Sequence, residues 1–106
     1  MSTVTSDSVA LRAALAVHRG ALDEILQRYG ATNPRLFGSV ARGDATADSD
    51  LDILVDLLPD AGNPLLRVAG IGEDLSDVLE RRVDVVTAAL LRDEVSATAL
   101  ADAIPL

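Results

Sequence analysis

The sequence predicts a small mixed α/β domain. Three features carry that expectation. Segments with helical apolar spacing alternate with short runs rich in Leu, Ile and Val. Gly and Pro punctuate the junctions between them. The chain has 106 residues, 49% of them hydrophobic, which suits one core but not two. With a single Phe and a single Tyr, that core is expected to be aliphatic.

The first helix is expected over residues 8–29. Leu11, Leu15, Leu22, Ile25, Leu26 and Tyr29 recur near helical spacing, Asp7 or Ser8 can cap the start, and Gly30 can terminate it. Asn33-Pro34 then breaks the chain. Arg35 to Phe37 reads as a very short strand ending at Gly38-Ser39, with a short helix from Val40 to Arg42 and a polar loop from Gly43 to Ser49. Asp50 to Leu58 is the clearest strand, and Pro59 stops it. Asn63 caps the next helix and Pro64 occupies its first position. Leu65, Val68, Leu75 and Leu79 are expected on its buried face, with Gly70 and Gly72 as weak spots. Arg82 to Thr87 reads as a strand, 88–103 as a helix, and Ile104-Pro105-Leu106 as a last short strand. Tyr29 and Phe37 are expected to anchor the core, and His18 to lie exposed mid-helix.

The formal charge is −8, and all nine basic residues are arginine. Such a chain repels phosphate backbones, so direct nucleic-acid binding is disfavoured and a basic protein partner, or a ligand brought in with metal cations, is expected. Zero Cys excludes disulfides and thiolate metal sites. Neither a signal-peptide pattern nor an apolar run long enough to span a bilayer is present. A cytoplasmic protein without membrane association is expected.

The chemistry concentrates in two segments. In a strand, residues two apart project to one face, so Asp50 and Asp52 are expected side by side, with Leu51, Ile53 and Val55 packed behind them. Adjacent carboxylates repel unless a cation intervenes. Hard oxygen ligands suit Mg²⁺ or Mn²⁺, and two such ions can clamp an in-line phosphoryl displacement. At Gly38-Ser39 a strand gives way to a helix, so free amides, the Ser39 hydroxyl and Arg42 one turn on can meet phosphate. Asp84 lies between valines. If its strand pairs with that of Asp50, it joins the same face, where it can bind metal and accept a proton. A lone Asp-x-Asp is ordinarily a solvated strand edge; its spacing from Gly38-Ser39 gives it meaning. Asp44, Asp48, Asp56 and Asp60 read as solvated acids.

Gly38-Ser39, ten residues, then Asp50-x-Asp52 resembles the signature of the DNA polymerase β-type nucleotidyltransferase superfamily. The fuller stretch from Gly38 through Val55, with Ala41-Arg42-Gly43 and Ser49, more narrowly resembles the minimal nucleotidyltransferase (MNT) proteins. The resemblance extends over the whole chain as a single domain. It implies a polymerase β-like α+β fold: a short mixed sheet with helices on one face and an open catalytic face. It also implies an antitoxin that uses ATP and Mg²⁺ to adenylylate a hydroxyl, typically of tyrosine, on a HEPN ribonuclease toxin, with which it can form a hetero-oligomer. Carried over by position, Gly38 and Ser39 hold the triphosphate, and Asp50, Asp52 and Asp84 are the acids. The departure is the Ala- and Gly-rich helix 64–80, which leaves specificity unread. The alternative is an antitoxin that neutralises by binding alone. A small-molecule nucleotidyltransferase ranks lower because it carries a further acceptor domain.

Overall fold

The computed structural model describes residues 5–43, 45–87 and 103–106. Its elements are α1 (Ser6–Val17), α2 (Arg19–Arg28), β1 (Ala31–Phe37), α3 (Gly38–Arg42), β2 (Leu51–Leu57), α4 (Pro64–Leu79), β3 (Val83–Thr87) and β4 (Ile104–Pro105). The four strands form one mixed sheet in the order β3-β2-β1-β4. β1 runs antiparallel to β2 and to β4, whereas β2 and β3 run parallel and are joined through α4. The mixed α/β expectation and the short terminal strand are both present. The expected helix over 88–103 falls almost wholly outside the described residues.

Alternation along β2 divides the sheet into two faces. Leu51, Ile53 and Val55 are buried in the core together with Leu36, Leu22, Ile71 and Leu75. Asp52 and Leu54 project to the opposite side. That side is solvent-reachable at its acidic end, while Leu54 further along is wholly buried. Among the described residues, no helix is long and apolar enough to cross a membrane.

Several local expectations need correction. The helix over 8–29 is two helices that meet at His18, a half-buried residue with φ −98° and ψ 21°. Hydrogen bonds continue on both sides of it, from His18 N to Ala14 O and from Leu22 N to His18 O. The kink lets α1 dock on α3 while α2 docks on β1 and α4. Leu15 and Leu22 stay in phase across the kink, so the apolar pattern does not reveal it; Gly20 is the local weakness. The cap is Thr5, whose side chain accepts from Ser8 N. Ser8 is instead fully buried and its hydroxyl accepts from Ala45 N.

Asn33-Pro34 does not break β1. The strand runs from Ala31 through a bulge between Thr32 and Arg35, where Asn33 takes φ 52°. A bulge tolerates the proline because its missing N–H is not required by the ladder. Pro34 O in turn accepts from Leu106 N at 3.0 Å. Phe37 pairs with Asp52 and lies half-buried on the acidic side, outside the core cluster. Tyr29 does pack against the core and donates its hydroxyl to Asp74 at 2.9 Å.

The cap of α4 forms as expected, with Asn63 Oδ1 accepting from Leu65 N and Leu66 N. Leu65, however, is 61% exposed, and Ile71 takes a core place instead. The two glycines are contact points rather than weak spots: Gly70 lies under the Tyr29 ring, and Gly72 lies 3.2 Å, measured from where a Cβ would stand, from Val83 O.

Arg67 on α4 is buried and fastens three parts of the fold. Its guanidinium donates to Tyr29 O at 2.8 Å, Gly30 O at 2.6 Å and Leu58 O at 3.0 Å. The turn between α2 and β1 is thereby tied to the end of β2. Arg67→Ala strands these acceptors and opens a void, so a destabilisation of about 3 kcal/mol is expected in urea unfolding. Arg67→Lys should recover part of it, because an ammonium cannot span all three carbonyls.

Candidate active site

The acidic row is built by strand register. β2 and β3 pair in parallel with Leu51 opposite Val83 and Asp52 opposite Asp84. Val83 is buried behind the sheet, which leaves Asp84 exposed on the other face, level with Asp52. Asp50 sits one residue before β2, and Leu51 N donates to Arg82 O at 3.0 Å to open the ladder. Asp50 Oδ2 lies 3.6 Å from Arg82 Nε, an exposed ion pair.

Gly38 adjoins this row from the β1 side. It takes φ 75°, and a Cβ placed on it would overlap the Asp52 carboxylate and stand 3.1 Å from Asp52 Cγ. Only glycine therefore lets the backbone pass beneath Asp52. Gly38 opens α3, and Ser39 and Val40 follow it. The preceding residue, Phe37, is extended and offers no side-chain cap, so the first amides of α3 are not satisfied by it. With five residues, α3 has little macrodipole; its contribution is these directed N–H groups. Its other end closes on Gly43, at φ 84°, while Arg12 of α1 donates to Val40 O and Ala41 O.

The electrostatics record the crowding. Burial pushes the Asp52 carboxyl up to about 6, and the neighbouring charges of Asp84 and Asp50 push the same way. The exposed Arg42 opposes them, so its charge reaches Asp52. Asp56, two residues beyond Leu54, behaves differently. It is exposed, its carboxyl is held below the ordinary range chiefly by the Asn33 hydrogen bond, and Arg35 pairs with it at 2.7 Å. Asp48 and Asp60 are exposed, whereas Asp44 falls outside the described residues.

Asp50, Asp52, Asp84, Gly38, Ser39 and Arg42 thus gather around one end of the sheet. Among the described residues, no three ligating side chains converge into a ready-made metal cage. The donor chemistry nonetheless suits Mg²⁺, which is ordinarily held by one or two carboxylates, with substrate phosphates and water completing its shell. Sequence reading missed Thr5, Ser8 and Arg81, which hold the loop between Gly43 and Asp50. Their partners there are chiefly main-chain groups far away in sequence, for which no motif exists.

The family model of the nucleotidyltransferase domain matches residues 18–106, so the chain belongs to the nucleotidyltransferase family and is an enzyme of that class. It is 36% identical over 83 residues to the protein adenylyltransferase MntA of Thermococcus cleftensis, covering 76% of this chain and 80% of that protein. A solved structure described as a minimal nucleotidyltransferase superposes with a TM-score of 0.73 at 40% identity, covering 87% of this chain and 92% of the other. A chain in a solved toxin–antitoxin complex with AMP-PNP shares the fold, with a TM-score of 0.62 at 20% identity, covering 79% of this chain and 68% of that one.

Two outcomes follow for the metal-free protein. Asp52 has an ordinary value of 3.8 unfolded and about 6 folded, so the native state holds the proton more tightly. Below about pH 4 both states are protonated and nothing is lost. Between about 4 and 6 stability falls as pH rises, and the deficit is complete above 6. Asp52→Asn is therefore expected to stabilise the protein at pH 8, but not below pH 4. Full conversion of the shift gives about 3 kcal/mol; solvent screening of a half-buried carboxylate reduces the expected gain to about 1 kcal/mol. Gly38→Ala is expected to cost about 1–2 kcal/mol of stability from its left-handed backbone and to displace Asp52, with the loss visible in thermal unfolding.

Proposed function

We propose that this enzyme transfers AMP from ATP, with Mg²⁺, to a hydroxyl on a cognate toxin protein, acting as the antitoxin of the pair. The single observation that carries this reading is the register of Asp52 and Asp84 beside the Gly38 backbone: paired acids next to an amide-lined phosphate seat. The similarity to a protein adenylyltransferase supports a protein acceptor. The shared fold with a chain of a toxin–antitoxin complex carrying AMP-PNP agrees with both the partner class and the nucleotide. The resemblance to MNT proteins extends the proposal to a HEPN ribonuclease as partner and tyrosine as acceptor. A net charge of −8 suits docking on the basic face that an RNA-binding toxin needs.

In this reading the amides at Gly38 and Ser39, with Arg42, orient the triphosphate. Asp50 and Asp52 would hold the Mg²⁺, which would supply neutralisation of charge on the phosphate oxygens. Asp84 takes the proton of the incoming hydroxyl. The hydroxyl oxygen forms a bond to the α-phosphorus, the bond to the β-phosphate bridging oxygen breaks, and pyrophosphate departs.

The test is transfer of label from α-labelled ATP to the cognate toxin in the presence of Mg²⁺. Asp50→Asn and Asp52→Asn are each expected to reduce labelling at least a hundredfold while leaving the fold intact. Labelling that persists in both variants would defeat the metal assignment. Full protection of cells by an unlabelling Asp52→Asn variant would instead favour neutralisation by binding alone.

A further inference from the structure

Asp50 is the least supported of the three acids. It precedes the first ladder bond of β2, and among the described residues its side chain meets the exposed Arg82 at 3.6 Å. Its placement therefore depends on the peptide that precedes it. That peptide is gripped from an unexpected quarter. Glu80 ends α4 in a left-handed conformation, with φ 52°, and the next residue, Arg81, reaches across to the loop before β2. Arg81 Nη2 donates to Ser49 O and to Ala47 O, each at 2.8 Å, and lies 3.4 Å from Thr46 O. Its Nε lies 3.2 Å from Ser49 O.

Three carbonyl dipoles pointing at one spot repel one another, so the turn needs a cation at its centre. A planar fork of N–H donors supplies it, and the Ser49 carbonyl so held belongs to the peptide joining Ser49 to Asp50. Inside the same loop, Ser49 Oγ accepts from Thr46 N at 2.8 Å. The far bank is anchored separately: Thr5 Oγ1 donates to Ala45 O at 2.6 Å, and Ser8 Oγ accepts from Ala45 N at 2.9 Å. Arg81 thus controls the Asp50 bank, and Arg82 O accepting from Leu51 N extends the hold by one residue.

We propose that Arg81 is a positioning residue for the metal-binding site: its grip on the Ser49–Asp50 peptide aims the Asp50 carboxylate at a divalent cation. This rests on the metal role proposed above for Asp50. Arg81 acts through the backbone, without touching nucleotide or cation, so its loss should weaken cation binding more than it weakens the fold.

The test uses Mn²⁺ alone as a spectroscopic probe, with free ion followed by electron paramagnetic resonance. Arg81→Ala is expected to weaken Mn²⁺ binding about tenfold, and Arg81→Lys about threefold, since an ammonium can satisfy only part of the carbonyl set. Amide hydrogen exchange should accelerate over residues 47–51 and stay unchanged in β1. Asp50→Asn serves as the reference. If Asp50→Asn loses Mn²⁺ while Arg81→Ala binds within twofold of the unaltered protein, the positioning role is wrong and the metal role stands. If Asp50→Asn itself binds Mn²⁺ normally, the metal role fails. Should Arg81→Ala not fold, Arg81→Lys decides in the same way: unchanged affinity overturns the proposal.

Discussion

The repulsion among Asp50, Asp52 and Asp84 is the constraint around which this small domain is organised. Left to themselves, carboxylates at this distance would separate. Asp52 and Asp84 are kept level by something stronger than their repulsion: the parallel β2–β3 ladder and the burial of Leu51, Ile53, Val55 and Val83 behind it. A one-residue slip in register would turn those apolar side chains to solvent and the acids into the core. The register that the core requires is thus the same register that sets Asp52 against Asp84. Partial burial of Asp52 adds to the cost, and Gly38 beneath it prevents relief in that direction.

Arginine forks supply much of the stiffness around this row. Arg12 collects Val40 O and Ala41 O at the end of α3. Arg67 collects Tyr29 O, Gly30 O and Leu58 O, and Arg81 collects Ala47 O and Ser49 O. Each joins a helix, or the turn that ends one, to the backbone of another part of the fold. A chain with one Phe, outside the core, and one Tyr has few large rigid side chains with which to set such distances. A planar guanidinium can bridge several carbonyls at once, which a lysine ammonium does poorly. The absence of lysine from the chain agrees with that use.

The central site residues were readable because their chemistry has a sequence period. The two-residue repeat of a strand singles out Asp50 and Asp52 together, although Asp50 lies one residue before β2, and the valines around Asp84 point to its orientation. Gly38 and Ser39 stood out as a strand-to-helix junction at a diagnostic distance from the acids. Elsewhere the periodic signal misled. Leu15 and Leu22 remain in phase across the His18 kink, so one helix was expected where two exist. Asn33-Pro34 reads as a break ahead of a strand that begins at Arg35, because a bulge, which accommodates both residues, depends on the partner strand. Leu65 obeys the apolar spacing of α4 yet lies beyond the reach of the core.

What the sequence determined by itself was local: which segments are helix or strand, which side of each strand is apolar, and which acids could act together. Those properties follow from side-chain spacing and backbone preference, which need no knowledge of distant partners. Only the tertiary structure decided that β2 and β3 are neighbours in matching register, that Gly38 passes under Asp52, and that Arg81 reaches the peptide before Asp50. These depend on main-chain groups and on closures between distant parts of the chain. A carbonyl oxygen is the same in every residue, so nothing in the order of side chains announces which one an arginine will find.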